Sequence, residues 1–218
     1  MNDALVLRIA LVAVAYLSGS IPVGVLVARL SGGPDPRAIG SGRTGGTNAL
    51  RALGRKWAAL VVVGDLAKGA GPVLLARILT SGDSTAEVVC AAFAVLGAWR
   101  SIFLGLTHGG RGVGTGVGTM LVIQPLAVIL AAPVFFIVIL LTRYVSLGSL
   151  LGSAAMFPAS LAIWAVAQGW VPPAYLAWAA VGPILIWIAH ADNIQRLVQG
   201  KERKFDLSLL AGRRSGGT

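Results

Sequence analysis

The sequence predicts an all-α, polytopic integral membrane protein with about seven transmembrane helices. Of its 218 residues, 56% are hydrophobic and only 12% are charged, whereas a soluble domain has roughly twice that charged fraction. The mean hydropathy is +0.81, so too little polar surface remains to cover a water-soluble globule. Because one span takes about 20 apolar residues, we expect a single membrane-embedded domain over 1–204 and no soluble domain.

Seven apolar stretches follow one another along the chain. They are 4–31, 57–80, 86–106, 112–123, 126–142, 147–167 and 173–198. The first lacks a basic leader and continues past Pro22, so it is interpreted as an uncleaved span rather than a signal peptide. The fourth ends at Gln124-Pro125, which predicts a tight turn into the fifth. A single kinked span over 112–142 is the alternative.

The distribution of basic residues predicts an N-terminus outside and a C-terminus in the cytoplasm. In this orientation the connections at 81–85, 124–125 and 168–172 lie outside and contain no lysine or arginine. The inner connections and the tail contain Arg37, Arg43, Arg51, Arg55, Lys56, Arg111, Arg143, Lys201, Arg203, Lys204, Arg213 and Arg214. Because cytoplasmic loops carry this excess, the net charge of +10 indicates topology rather than a nucleic-acid partner. The basic tail, 205–218, is predicted to be mobile.

Single residues inside the apolar stretches add three expectations. Cys90 is the only cysteine, which excludes an intramolecular disulfide and a multi-cysteine metal site. Asp65 and Lys68 are three residues apart, and unpaired charges are costly in a bilayer, so we expect them to pair or to face a polar cavity. Gly148 and Gly152 share one helix face, a spacing that favours close helix packing in lipid.

Segment one, 40–48, is a glycine-rich stretch that is predicted to bind an anion. Its glycines free the backbone to point several N–H groups at one ligand. Side chains that can donate to the same ligand are Ser41, Thr47, Asn48, Arg51 and Arg55. The last three would share one face of a short helix, whose N-terminus favours a phosphate. A flexible basic loop is the alternative.

Segment two, 108–116, joins two apolar stretches and should open a helix. It contains His108 and Arg111 among glycines but lacks the Gly-Lys-Ser/Thr ending of a Walker A loop. The glycines could cradle a phosphate or could let helices approach closely. Arg111 favours the phosphate, because an arginine fork matches its geometry.

Segment three, 190–196, lies at the inner end of the last span and contains His190, Asn193 and Arg196. The chain has only two histidines and no His-Glu-x-x-His pattern, so no zinc site is expected. A lone interfacial histidine is usually inert, which is the alternative to a functional His190. Ser146, at the mouth of the sixth stretch, could be a helix cap or a substrate contact.

Together these segments predict an anion site at one membrane face beside an apolar slot. A reaction between a phosphorylated polar molecule and a fatty acyl donor would use both.

The sequence resembles the bacterial membrane acyltransferases that use acyl-phosphate to acylate glycerol 3-phosphate, the PlsY family. The resemblance runs from about Gly19 to Glu202 and includes several short motifs in the family's order. The matching positions are Gly19-Ser20-Ile21-Pro22, Gly40, Ser41, Gly42, Gly45, Thr47, Asn48, Arg51, Asp65, Lys68, Gly69, Gly109, Gly110, Gly112, Val113, Thr115, Tyr144 to Ser149, His190, Asn193, Ile194, Arg196, Gly200 and Glu202.

Several positions depart from the family's motifs. Arg43 stands for an asparagine, and Arg111 for the usual lysine. A Gly-His-x-x-Pro run is replaced by 97–101, which places Ala98 at the histidine. The remaining departures are Gly46 for alanine, His108 for lysine, and Ala189 and Ala191 for arginines.

The resemblance implies transfer of an acyl group from acyl-phosphate to sn-glycerol 3-phosphate in the bacterial cytoplasmic membrane, with the site facing the cytoplasm. The implied catalytic residues are His190, Asn193 and Ser146. The implied substrate and phosphate ligands are Ser41, Gly42, Gly45, Thr47, Asn48, Arg51, Gly109, Gly110, Arg111, Gly112, Thr115, Ser149, Arg196 and Glu202. Neither a metal nor a cofactor is implied, and the partners are the two substrates and membrane lipids. The alternatives are a non-catalytic lipid or phosphate binder, motivated by the alanines, and a small transporter.

Overall fold

The computed structural model describes residues 3–107, 109–167 and 170–211. Within these ranges the chain forms eleven α-helices and no β-strand, which confirms the all-α prediction. The helices are α1 Asp3–Ser20, α2 Val23–Ser31, α3 Gly46–Leu53, α4 Arg55–Leu79, α5 Ser84–Trp99, α6 Val113–Ile123, α7 Pro125–Thr142, α8 Val145–Ala154, α9 Met156–Val166, α10 Pro173–Ala189 and α11 Ala191–Val198.

Helix length and composition support a multi-pass membrane protein. Five segments are long and apolar enough to cross a bilayer, namely Asp3–Ser20, Arg55–Leu79, Ser84–Leu104, Pro125–Thr142 and Val145–Val166. A sixth is present if α10 and α11, which are bent by 68° relative to each other, form one span. α6 has 11 residues and is therefore about 16 Å long, shorter than the bilayer core.

The first apolar stretch is not one continuous helix. α1 ends at Ser20, and α2 begins at Val23, after Pro22. Proline has no N–H to donate and disfavours the helical conformation in the preceding residue. The expected single span over 4–31 is therefore divided into a long helix and a short one.

The stretch 112–142 forms two helices, so the single kinked span is wrong. Gln124 separates α6 from α7 with φ −154° and ψ 75°, and Pro125 begins α7. The Gln124 side chain is buried, and its Oε1 accepts a hydrogen bond from Ser160 of α9. A polar contact thus fixes this turn inside the helix bundle.

Glycines allow the helices to approach closely. A Cβ on Gly19 of α1 would lie 2.0 Å from the carbonyl oxygen of Ala94 in α5. A Cβ on Gly148 or Gly152 of α8 would lie 2.8 or 2.9 Å from side-chain atoms of Ile139 and Phe135 in α7, respectively. The packing role predicted for the last two glycines is therefore confirmed.

The two ends of the bundle differ in how their charges are paired. At the end where α4 finishes and α5 begins, Arg8 pairs with Asp83 at 2.7 Å. Arg77 pairs there with the fully buried Glu87 at 2.7 Å, and Tyr175 donates to the same carboxylate. The glycine-rich segments and the C-terminal segment lie at the opposite end.

The C-terminal segment returns to the bundle after α11. Phe205 is 6% exposed, and its N–H donates to the carbonyl of Arg143 at 2.6 Å. A short 3₁₀ helix, Leu207–Ala211, follows. Of the tail that the sequence predicts to be mobile, residues 212–218 lie outside the described residues.

Candidate active site

A cavity of about 650 Å³ lies where segments one, two and three meet, and we call it the polar cavity. Its polar and charged lining comprises Ser41, Arg43, Thr47, Asn48, Arg51, Arg55, Asp65, Lys68, Arg111, Thr115, Ser146, Ser149, His190, Asn193, Arg196, Glu202 and Arg203. Gly45, Gly110 and Gly112 also line it, whereas Gly42 and Gly109 are not among the lining residues. The structure therefore brings together most of the predicted site residues.

Asn48 holds segment one in place. Its side chain is 3% exposed, and its Nδ2 donates to Ser41 Oγ at 3.0 Å and to the Arg43 carbonyl at 2.9 Å. Its Oδ1 accepts from Arg51 Nη1 at 3.2 Å. A Cβ on Gly40, whose φ is +63°, would lie 2.5 Å from Asn48 Oδ1, so only glycine suits this approach.

Arg55 does not belong to the same helix as Asn48 and Arg51. α3 ends at Leu53, and Gly54, with φ +82°, separates it from α4. The prediction that all three side chains share one helix face is therefore wrong. They nevertheless line the same cavity, because α4 continues along its wall.

Arg43 and Arg51 are cations without acidic partners. Among the described residues neither forms an ion pair. Burial lowers the pKa of the Arg43 guanidinium, and nearby Arg111 lowers it further. Burial also lowers the pKa of Arg51, with Arg203 as a second cationic neighbour. Such crowded, partly desolvated guanidinium groups favour binding of an anion.

Arg111 is paired with a carboxylate, whereas the sequence predicts an arginine that is free to bind phosphate. Its Nη1 and Nη2 donate to the two Asp192 oxygens at 2.6 and 2.9 Å, and Nη1 also donates to the Ala189 carbonyl at 2.8 Å. Asp192 is therefore a built-in anion that occupies this arginine fork. A phosphate that approached Arg111 would have to share or displace this carboxylate.

The glycines of segment two permit close packing, and some of them also lie on the wall of the polar cavity. A Cβ on Gly109 would lie 2.4 Å from the Trp99 carbonyl oxygen, so Gly109 permits close packing. Gly112 has φ +75° and precedes the first turn of α6. The first-turn residues Val113, Gly114 and Thr115 line the polar cavity, and the N–H groups of a first turn lack acceptors within the helix.

His190 lies at the break between α10 and α11 and is 2% exposed. Its Nδ1 donates to the Ile186 carbonyl at 2.8 Å, because a carbonyl oxygen can only accept. In the neutral ring Nε2 then carries the lone pair.

Glu202 connects segment three with Ser146. Its Oε1 accepts from Asn193 Nδ2 at 2.6 Å and from Ser146 Oγ at 3.0 Å, while Oε2 accepts from Arg196 Nε at 2.8 Å. Since a carboxylate only accepts, Glu202 positions these donors and has little to offer a phosphate. Asn193 Oδ1 is buried and has no partner among the described residues.

Asp65 and Lys68 form the expected pair. Lys68 Nζ lies 2.8 Å from Asp65 Oδ1 and also donates to the Ile21 carbonyl at 3.1 Å. Both residues line the polar cavity, so both parts of the prediction hold.

Two arginines that line the cavity, Arg43 and Arg203, are not among the ligands that the sequence predicts. Arg43 lies inside segment one and Arg203 directly follows Glu202, so sequence proximity was the available signal. Arg203 Nη1 donates to the Gly40 carbonyl, which links the C-terminal segment to segment one. His108, a departure in segment two, lies outside the described residues.

An apolar cavity of about 300 Å³ adjoins the polar cavity. The residues that line both cavities are Val62, Val113, Gly114, Phe135, Phe136 and Ser149. It extends among α4, α5, α6, α7, α8, α9 and α10. The site therefore combines a cationic end with an apolar extension.

In each comparison with known proteins, the chain is similar to glycerol-3-phosphate acyltransferases. The family model described as glycerol-3-phosphate acyltransferase matches residues 9–200. The chain is 43% identical to a glycerol-3-phosphate acyltransferase of Geobacter sulfurreducens over 196 residues, which covers 89% of this chain and 96% of the relative. It is also 43% identical to one of Thermus thermophilus over 194 residues, with 87% and 91% covered.

Two solved structures share the fold. Both are crystal structures of PlsY, an integral membrane glycerol 3-phosphate acyltransferase, one in its glycerol 3-phosphate form and one in its lysophosphatidic acid form. The TM-scores are 0.82 and 0.81, at 34% identity in each case. Each comparison covers 94% of this chain and 99% of the other.

Proposed function

Because the chain belongs to the glycerol-3-phosphate acyltransferase family, we propose that it transfers a fatty acyl group from acyl-phosphate to sn-glycerol 3-phosphate. The products are 1-acyl-glycerol 3-phosphate and inorganic phosphate, so the reaction serves phospholipid synthesis. One observation carries the proposal: arginines from all three segments line a single cavity beside an apolar cavity, and two of them, Arg43 and Arg51, have no acidic partner among the described residues. Such a site suits two phosphorylated substrates, one of which has a long acyl chain.

The reaction is an acyl transfer between two oxygens. The glycerol hydroxyl oxygen attacks the acyl carbon, the bond from that carbon to the phosphate oxygen breaks, and phosphate leaves. The hydroxyl proton passes to a base, for which the candidates are His190 Nε2 and a phosphate oxygen of the substrate. Since acyl-phosphate already has a good leaving group, positioning and charge stabilisation supply most of the acceleration.

Two groups of residues are proposed to hold the two phosphates. Ser41, Thr47 and Arg51 bind one of them, a role supported by their common place on the cavity wall. Asn48 holds Ser41 and Arg51 in place through its own hydrogen bonds. The N–H groups at the start of α6 and Arg111 bind the other. The pairing of Arg111 with Asp192 implies that this second phosphate competes with a carboxylate.

Asn193 is proposed to orient the attacking hydroxyl. Its Nδ2 is committed to the Glu202 carboxylate, which fixes the amide orientation. Its Oδ1 is buried without a described partner and can accept the hydrogen bond of a glycerol hydroxyl. The apolar cavity would hold the acyl chain, since its lining is almost entirely hydrocarbon.

We also propose seven membrane-crossing segments, with the N-terminus outside and the polar cavity open to the cytoplasm. They are the five long apolar segments, α10 together with α11, and the short α6. The pairing of charges supports this orientation. Arg8 and Arg77, at the proposed outer end, are each neutralised by an acid, whereas the opposite end has the unpaired Arg43 and Arg51. Cytoplasmic ends of membrane proteins carry such a cationic excess.

Labelling of introduced thiols tests the orientation. Cys90 is the only cysteine and is 1% exposed, so an introduced surface thiol is the only one that the reagent can reach. In intact cells, whose outer membrane has been made permeable, we expect a membrane-impermeant maleimide to label Thr85→Cys and to leave Lys201→Cys unlabelled. Both should react after the inner membrane is opened, and the reverse pattern in intact cells would reject the topology.

An assay in lipid nanodiscs tests the activity. With palmitoyl-phosphate and glycerol 3-phosphate, we expect release of phosphate and equal formation of lysophosphatidate. Asn48→Ala and His190→Ala should each lower kcat/KM at least tenfold, because Asn48 holds segment one and His190 faces the reacting groups.

Arg29→Ala is the matched control, since Arg29 is an exposed cation that does not line the polar cavity; its turnover should be unchanged. Full turnover in both site variants would reject the proposed site. Glycerol 3-phosphate binding without transfer from any acyl-phosphate would instead favour the non-catalytic binder. Flux of substrate into liposomes without acylation would favour the transporter.

A further inference from the structure

The apolar cavity has a direction, with one end at the polar cavity and the other deep in the bundle. Along α6 its lining runs from Val113 to Met120, and along α10 from Ile186 to Trp178. At 1.5 Å per residue these distances are about 10 and 12 Å. Val113 also lines the polar cavity, and Ile186 lies beside Gly112 of that cavity, so the two helices run in opposite directions away from it.

Four side chains form the deep end of this cavity: Met120, Val128, Met156 and Trp178. Beyond them the bundle is solid, because Ile123 is 6% exposed and Ala127 is 0% exposed, and neither lines the cavity. The cavity therefore ends at a floor and does not pass through the bundle.

Trp178 is the rigid member of the floor. It is 2% exposed, and its Nε1 donates to Thr119 Oγ1 at 3.1 Å. Thr119 in turn donates to the Gly116 carbonyl at 2.7 Å, so the hydrogen bonds fix the indole to α6. Methionine side chains are flexible and adapt to a neighbour, so Met120 and Met156 can move aside where Trp178 cannot.

We propose that Trp178 is the stop for the acyl chain and that its position sets the longest chain the protein accepts efficiently. This inference rests on the proposed acyl transfer and names the residue that makes it selective. A chain that runs along α6 and α10 as far as the indole cannot continue past it in the same direction. Longer chains must fold back or leave their first carbons out of place, which lowers transfer.

Two substitutions move the floor in opposite directions. Trp178→Ala removes the indole and should lengthen the cavity. Gly116→Leu should shorten it, because Gly116 lines the cavity and a Cβ there meets only ordinary contacts at 3.8 Å. The control is Trp164→Ala, since Trp164 is a partly exposed tryptophan of α9 that does not line the cavity.

The experiment measures kcat/KM for saturated acyl-phosphates from decanoyl to stearoyl, in nanodiscs. In Trp178→Ala, kcat/KM for the longest donor, divided by kcat/KM for the optimal donor, should rise about tenfold. This is the scale of the effect of one methylene gained or lost in an apolar pocket. In Gly116→Leu the optimum should shift to a shorter donor. The profile of Trp164→Ala should match that of the unsubstituted protein.

The outcomes separate the two proposals. An unsubstituted protein that transfers no acyl-phosphate of any length rejects the proposed function. Transfer with an unchanged length profile in Trp178→Ala rejects the stop and leaves the function standing. Should Trp178→Ala fail to fold, Trp178→Phe replaces it: a shift towards longer donors, smaller than for alanine, supports the stop, and an unshifted profile overturns it.

Discussion

Replacement of Arg51 by alanine should lower kcat/KM for glycerol 3-phosphate about 100-fold or more. Arg51 lines the polar cavity, is in no ion pair among the described residues, and is held by its bond to Asn48. Removal of one preorganised charge-stabilising donor typically costs 10²–10³-fold in rate. The measurement is steady-state kinetics in nanodiscs, with lysophosphatidate as the product followed.

Lysine at position 51 distinguishes the contribution of positive charge from that of the planar guanidinium group. Arg51→Lys keeps a cation but loses the planar fork that matches a phosphate, so we expect partial recovery, between the alanine variant and the unsubstituted protein. Arg29→Ala again controls for the loss of an exposed cation outside the cavity lining. Turnover of Arg51→Ala within threefold of the unsubstituted protein would contradict a phosphate-binding role.

The general architecture follows from composition and spacing. The apolar stretches predict the helices, since hydrophobic composition alone separates membrane spans from loops. The glycine-rich segments with their arginines predict a shared anion site, and the three segments do meet at one cavity. These features depend on local pattern, which a single sequence contains.

Long-range pairing could not be predicted from the same pattern. Arg111 is expected to be a free phosphate ligand, yet it lies against Asp192, which is 81 positions later. Nothing in the spacing distinguishes a carboxylate that completes a site from one that faces solvent. The break at Gly54 was also missed, although its φ of +82° suits only glycine.

The place of Arg203 and Phe205 in the C-terminal segment is the other feature that local pattern does not reveal. A basic sequence after the last apolar stretch is typical of a mobile tail. In the structure Glu202, Arg203 and Phe205 line the polar cavity. The resemblance implies Glu202 as a site residue, but Arg203 and Phe205 contact regions that are far apart in sequence, so their place in the cavity is known only from the folded chain.

Substitution of Glu202 should have the second large effect, through the donors that it positions. The Glu202 side chain is 8% exposed, and its carboxylate accepts hydrogen bonds from Ser146, Asn193 and Arg196. In Glu202→Ala the Asn193 amide can rotate, and a misplacement of about 1 Å can cost 100-fold in rate. We therefore expect kcat to fall about 100-fold while KM for glycerol 3-phosphate changes less.

Glutamine distinguishes positioning from a merely structural role. The amide oxygen of Glu202→Gln can still accept from Ser146 and Asn193, but the charge opposite Arg196 is lost. We expect a loss of about tenfold, since removal of a hydrogen bond to a charged group costs about 1.5–3 kcal/mol. Asp206→Asn, in the same segment but outside the cavity lining, should leave kcat unchanged.

The two Glu202 variants must differ for the positioning role to stand. A structural role alone would lower the thermal unfolding temperature of both and would leave kcat per folded protein intact. Equal kcat in the alanine and glutamine variants, or a change confined to KM, would contradict the role. A graded loss of kcat, with alanine below glutamine, would mean that the Asn193 orientation limits the attack of the glycerol hydroxyl.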